Sequence, residues 1–415
     1  MTTHRIPNRL KVTRRSRRAA RLVMVTCVLA TLALLVASPT FLLAADKAAT
    51  GKAAPPTSWD PHAAARYLDD REIYWQSWEH ARKDHGTLCV SCHTQATYGL
   101  ARPALRHTLG EQTISAPEQA MLASIRKRVQ LWDQMAPFYD DATSGAGKEV
   151  ESRNAESVLN SIILASYDAP LGQLSPLTRT AFDHAWALQS TSGPTQGAWV
   201  WQNFHYSPWE APESEYHNAA LMAVAVAKAP DHYRDDPGVA PHRDALIRYL
   251  TAHFEAQPLL NKMVALWASH WYPGLLTQDQ QAQVVADLAS RQRSDGGWSL
   301  ADMGQFHRVD GSPLETRPDG YATGLAVLVL YEAAFPDSSH ARRQATAECI
   351  ARGGRWLIAN QNQATGAWEA WSLNKKRDPA SNIGKFMSDA ATSYAVLALE
   401  EIDQDPLKSL AVNTH

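Results

Sequence analysis

Two cysteines three positions apart, with a histidine directly after the second, stand in the stretch HGTLCVSCHTQATYGLA as Cys89-Val90-Ser91-Cys92-His93. This spacing puts two thiols on one turn of chain and an imidazole beside them. A porphyrin is held in this way, through its two vinyl groups and an axial histidine, so the pattern is that of c-type haem attachment. A redox disulfide would not need the histidine. The expectation is one covalent haem c on Cys89 and Cys92, with His93 as proximal iron ligand. For the sixth iron position the candidates are Met135, in the apolar stretch QLWDQMAPF, and His107, alongside an open or water-bound iron. His85 is close in sequence but constrained, and Met121 is a further downstream methionine. A six-coordinate iron implies electron transfer with a redox partner protein; an open one implies redox chemistry on an apolar small molecule.

Covalent haem requires export, and the N-terminus supplies a reason to expect it. Residues 1–21 carry Arg5, Arg9, Lys11, Arg14, Arg15, Arg17, Arg18 and Arg21 and no acid, and the apolar run LVMVTCVLATLALLVASPTFLL follows over 22–43. A basic flank before an apolar run is an export signal, and this run is also about the ~20 residues that a membrane span needs. Residues 1–45 therefore read as a signal peptide or a membrane anchor, with the rest of the chain periplasmic or otherwise extracytoplasmic. Residues 46–58, DKAATGKAAPPTS, read as a linker, and 59–405 as one domain.

The whole chain has a formal charge of −2 from 40 basic and 42 acidic residues. Without the eight basic residues of the flank, the balance is 32 − 42 = −10. An acidic domain without a basic stripe excludes nucleic acid as a partner. Of the four cysteines, Cys27 lies in the apolar run, and Cys349 reads as a buried thiol.

The tryptophans are organised. LQSTSGPTQGAWVWQNF, RQRSDGGWSL and GGRWLIANQNQATGAWEAW each place a glutamine (Gln189, Gln292, Gln361), a glycine-bearing turn and a tryptophan (Trp199, Trp298, Trp368) in the same order. After each comes an apolar helix opened by polar residues: EYHNAALMAVAVA, DGYATGLAVLVLY and DAATSYAVLALEE. Being apolar nearly all round, these read as inner helices; the amphipathic segments before the turns read as outer ones. Outer helices are expected over 62–82, 118–135, 176–189, 241–256, 277–292 and 340–361, and inner ones from about His93, Asn154, Glu215, Asn261, Asp319 and Asp389. The fold class is all-α, a closed (α/α)6 barrel.

RQRSDGGWSL and ANQNQATGAW resemble the QW repeats of squalene–hopene cyclases, and with the helices that follow they resemble the α/α-toroid superfamily that also holds prenyltransferase β subunits. The resemblance covers residues 180–400 best. It implies a toroid with an apolar central cavity, and with it two alternatives: a divergent terpenoid cyclase-like enzyme, or a non-catalytic lipid- or peptide-binding barrel with structural haem. The cyclases' DxDD string does not occur. The acid pairs Asp69-Asp70, Asp140-Asp141 and Asp235-Asp236 read as solvated surface, and Cys349 does not match a prenyltransferase zinc set.

In such a barrel all inner helices start at one end. His93, Glu215, Asp319 and Asp389 then share a mouth, where the three acids are either helix caps or cavity-mouth catalytic groups. His205, His217, His270 and His307 fall near the rim or helix ends and read as ordinary polar residues.

Overall fold

The computed structural model describes residues 56–333 and 340–404, with the side chains of 340–342 and 404 excluded. The expected signal or anchor, including residues 22–43, lies outside the described residues. The described residues belong to one compact unit.

Asp60 accepts a hydrogen bond from the amide of Ala63 (2.9 Å), and Pro61 opens α1 (Pro61–Ser77) at the position where its missing N–H costs nothing. Two short antiparallel strands, β1 (Arg82–Lys83) and β2 (Thr87–Leu88), then lead through the cysteine motif into α2 (Gln95–Leu109). The rhythm continues as α3 (Ala116–Gln130), the short α4 (Asp141–Ser144) and α5 (Lys148–Asp168), then α6 (Pro176–Leu188) with α7 (Glu213–Lys228). It ends with α8 (Ala240–His253) and α9 (Leu259–Ser269), α10 (Gln278–Arg291) and α11 (Gly320–Glu332), and α12 (His340–Asn360) and α13 (Phe386–Gln404).

Helices α2, α5, α7, α9, α11 and α13 touch in sequence, and α13 packs back on α2, so the inner ring is closed. The outer helices α1, α3, α6, α8, α10 and α12 surround it. The all-α (α/α)6 barrel is thus the architecture. The inner helices are almost wholly buried: every residue of α11 from Gly320 to Leu330 is inside, which is why their sequence lacks an amphipathic stripe.

The three repeats have one structural job. The amides of Gln189, Gln292 and Gln361 each donate from Nε2 to their own turn glycine, Gly197, Gly296 and Gly366 (2.9–3.0 Å). The same nitrogen donates to a carbonyl of the next outer element, His242, Cys349 and Asp60 respectively (2.9 Å). Gln361 also accepts from the Asp60 amide (2.7 Å), so the last repeat ties the end of α12 to the start of α1 and closes the outer ring. Trp199, Trp298 and Trp368 reach back to carbonyls of the preceding helix, Ala185, Leu288 and Leu357, at 2.7–2.8 Å. Each tryptophan is inside the core. The turn needs glycine: φ is +98° at Gly296 and +81° at Gly366, and a Cβ would meet the Arg352 or Ala63 carbonyl oxygen at 2.5 or 2.2 Å.

Buried charge clamps the first two hairpins. Arg102 of α2 donates from Nε to Asp69 (3.0 Å) and from Nη1 to Glu111 (2.6 Å), while Tyr98 donates to Asp69 (2.7 Å). Asp69 is therefore a helix–helix clamp and not the solvated surface acid expected from its charged surroundings. Glu72, one turn along α1, is fully buried and accepts from Gln95 (2.7 Å) and Gln76 (2.8 Å). Its Oε2 and the Gln95 Oε1 have no hydrogen-bond partner, and a proton on the carboxyl can supply the donor this pair lacks.

Burial pushes the Glu72 carboxyl from its ordinary 4.5 to about 8. The folded chain then holds a proton that the unfolded chain loses above pH ~4.5. The stabilisation is fully present below that pH and disappears as pH rises toward 8, with a slope near ~1.4 kcal/mol per pH unit for one proton. Chemical denaturation between pH 4.5 and 8 is expected to show this decline, and Glu72→Gln, which is neutral throughout, is expected to flatten it. An unchanged slope in the variant would mean that Glu72 does not carry it.

Candidate active site at the barrel mouth

The N-terminal ends of the inner helices meet at one face. The Asn261 amide at the start of α9 donates to the Glu213 carbonyl at the start of α7 (2.8 Å), Tyr321 of α11 lies edge-on to Tyr394 of α13 (4.9 Å), and Thr94 before α2 donates to Asp389 on α13 (2.8 Å).

Three loops bring chemistry to this face. The first carries the cysteine motif. Its hairpin is fixed by Arg128 of α3, which donates to Thr87 Oγ1 (2.8 Å) and is paired with Glu156 of α5, both side chains having no exposed surface. Cys89 and Cys92 pack against the core, and burial pushes both thiols up to about 12. Neither is a thiolate at neutral pH. His93 is stacked on Phe386 (4.1 Å, 21°) and edge-on to Trp75 (5.4 Å, 81°), and burial depresses its pKa to about 3.

The second loop, between α6 and α7, holds Trp209 and Glu210. The Glu210 carbonyl accepts from the amides of Phe204 (2.9 Å) and Tyr206 (3.0 Å), and its own amide donates to Tyr206 (3.0 Å). Trp209 faces Tyr321 at 5.9 Å. Among the described residues no hydrogen bond engages the Glu210 carboxyl, and burial raises its pKa against the opposing pull of Arg377 and Lys375. Its charge acts on both Cys89 and Cys92, which places it at the motif. The third loop, between α12 and α13, contributes these two cations, with Lys375 Nζ 4.3 Å above the Tyr206 ring.

The three mouth acids named from sequence have separate situations. Asp319 is buried and caps α11, accepting from the Ala322 amide (2.8 Å) and the Leu300 amide (2.5 Å); burial still lifts it to about 7. Asp389 is buried and accepts from Arg71 Nε (2.7 Å) and Tyr67 (2.9 Å) on Oδ1 and from Thr94 on Oδ2. Glu215 is half-buried and accepts from Thr195 (3.2 Å), with its pKa raised by burial. Among the described residues, the inner wall also holds polar atoms without protein partners: both side-chain atoms of Asn160 and Oδ1 of Asn154. His205, His270 and His307 are exposed.

Sequence reasoning passed over Glu210, Thr94 and Arg71. Glu210 had a signal, a Trp-Glu pair between prolines in SPWEAP just ahead of an inner helix.

The (α/α)6 toroid is the class this architecture defines. No protein-family model matches the chain, and no curated protein matches its sequence. Among solved structures it is similar to the unsaturated glucuronyl hydrolase of Bacillus sp. GL1, described as responsible for the degradation of glycosaminoglycan: TM-score 0.51 at 11% identity, over 82% of this chain and 95% of that one. The unsaturated glucuronyl hydrolase of Streptococcus agalactiae aligns with TM-score 0.47 at 11% identity, over 84% and 94%. At such identity the likeness is one of fold.

These findings correct the haem reading. The fold is shared with the unsaturated glucuronyl hydrolase of Bacillus sp. GL1, and among the described residues no group of three or more His, Cys, Asp and Glu is placed to hold a metal ion. The Cys89 and Cys92 side chains pack, partly buried, against the core, and one face of the His93 ring stacks on Phe386. Covalent haem c, iron ligation by His93, electron transfer and redox chemistry on an apolar ligand are accordingly set aside, as are the cyclase-like and structural-haem alternatives. Neither distal candidate fits such a role. His107 is exposed in the last turn of α2, about 20 Å along the chain axis from His93. Met135 is buried beyond α3, on a segment whose carbonyl is held by Arg153.

Proposed function

We propose that the protein is an exported hydrolase of saccharides, with Glu210 as the acid that protonates the leaving oxygen. The single observation carrying this reading is the Glu210 carboxyl: desolvated, unengaged and rigidly presented at the mouth beside Trp209, Tyr321 and the Cys89–His93 loop. Glycosidic cleavage needs a carboxyl that holds its proton above the ordinary carboxylate range, and burial moves Glu210 in that direction. Aromatic faces with a few convergent polar groups suit a sugar ring. Lys375 and Arg377 favour an anionic sugar, in keeping with the glycosaminoglycan-degrading fold neighbour. Export would put the barrel where polymeric saccharides occur.

The test is hydrolysis of a panel of neutral and uronate-bearing oligosaccharides, followed by release of reducing ends. Turnover is expected on the anionic members, with Glu210→Gln reducing it ~10²-fold or more at unchanged melting temperature. Full activity in Glu210→Gln would remove Glu210 from the reaction.

A further inference from the structure

His93 sits at the end of a buried chain of hydrogen bonds that leads away from the mouth. Its Nδ1 lies 2.9 Å from Thr94 Oγ1, and Thr94 Oγ1 lies 2.8 Å from Asp389 Oδ2. Asp389 Oδ1 in turn accepts from Arg71 Nε and Tyr67 Oη, and Arg71 is fixed by the side chain and carbonyl of Asn382 (3.0 and 2.8 Å). The direction of every bond in this chain can be worked out. A guanidinium does not lose its proton in a protein. Arg71 is buried, and Asp389 is the carboxylate paired with it. Burial raises the Asp389 carboxyl and Arg71, Thr94 and Tyr67 pull it back down; protonating it would leave the buried Arg71 cation uncompensated, so Asp389 is ionised and only accepts. The single Thr94 hydroxyl proton therefore goes to Asp389. Thr94 then has only lone pairs to offer His93, and Nδ1 must carry the imidazole proton. Neutral imidazole has one proton, so Nε2 is bare.

We infer that His93 is held through Thr94 and Asp389 in the Nδ1–H tautomer, so that its unprotonated Nε2 is a hydrogen-bond acceptor at the barrel mouth. Nε2 has no protein partner among the described residues and is not enclosed, and the ring plane is set by Phe386 on one face and Trp75 at its edge. Thr94 and Asp389 are positioning residues in this arrangement: they fix which nitrogen is free and where it points.

The catalytic part of the inference rests on the saccharide reading above. Nε2 accepts a hydrogen bond from the attacking water and orients it; the water oxygen bonds to the anomeric carbon and releases its proton to solvent, the glycosidic carbon–oxygen bond breaks, and the leaving oxygen takes the Glu210 proton. Atoms and charge balance, with the proton released to solvent restoring the Glu210 carboxyl.

The tautomer is read by nitrogen NMR on protein labelled at histidine, with the His93 signals assigned by their loss in His93→Gln. The wild-type protein is expected to show a protonated Nδ1 and a bare Nε2. Thr94→Val keeps the shape and removes the acceptor, so a mixture of tautomers is expected, while Thr94→Ser restores the wild-type pattern. On any saccharide that is turned over, Thr94→Val should lower kcat more than it changes KM. A proton on Nε2 in the wild type, or a Thr94→Val spectrum identical to it, overturns the inference. The expected tautomers without turnover of any saccharide would overturn the hydrolase reading and leave the His93 acceptor standing.

Discussion

Trp298→Ala is expected to lower the unfolding free energy by ~3–5 kcal/mol, the range for deleting a large aromatic from a close-packed interior. Trp298 has no exposed surface, and its indole N–H gives the Leu288 carbonyl at the end of α10 a second donor beside the Gln292 amide. The backbone amide and carbonyl of the same residue meet Thr323 Oγ1 at 2.9 and 3.3 Å, so the tryptophan joins an outer helix to the inner helix that follows it. A cavity there therefore loosens one helical hairpin from its own turn. Chemical denaturation monitored by circular dichroism measures the loss. A change under ~1 kcal/mol would show that the site collapses around the smaller side chain and that the repeat tryptophan is not a keystone.

Arg128→Met is expected to cost a similar ~3–5 kcal/mol, for a different reason: it removes the hydrogen-bonded partner of the buried Glu156 charge and leaves Arg153, 3.7 Å away, as its remaining ion pair. Both members of the pair have no side-chain exposure, and Arg128 further donates to Thr87 Oγ1 and the Ala136 carbonyl (2.9 Å). The cost should be largely recovered in Arg128→Met with Glu156→Leu, because the desolvation of both charges vanishes together. Since Thr87 ends the hairpin that leads into Cys89, the single variant should also increase the reactivity of Cys89 and Cys92 toward a thiol reagent in the native state. Thiols that remain as slow to react as in the wild type would contradict the hairpin's dependence on Arg128.

The barrel was legible because its signals are local and repeated. Gln292-to-Trp298 spacing, a turn glycine and an apolar helix opened by Asp319 occur within about thirty residues, and each element's bonds stay inside that unit or reach the next one. The expected outer and inner helices match those observed to within a few residues at most starts, and the motif at 89–93 immediately precedes α2. Asp319 shows where a local reading suffices: a helix cap is specified by position alone.

The site was less legible because its partners are distant in sequence. Thr94 meets Asp389 across 295 positions, and Arg71 meets it across 318. No spacing rule connects them. The cysteine pair carried a strong local pattern, and that pattern dominated the reading of the mouth. It does not encode the packing that seats both thiols against the core or the ring of His93 against Phe386. Glu210 was overlooked for the opposite reason: the Trp-Glu pair in SPWEAP is a weak local signal, and only the closed loop shows the carboxyl buried and without a hydrogen-bond partner among the described residues.

Binding at the mouth is the central claim, and titration of Glu210→Gln with uronate-bearing oligosaccharides tests it most directly. The variant keeps the loop and removes turnover, and Trp209 beside the carboxyl reports through its fluorescence. Saturable quenching is the predicted result, abolished by adding Trp209→Ala and weakened by adding Lys375→Ala. No binding of any oligosaccharide to a folded Glu210→Gln protein would contradict the account.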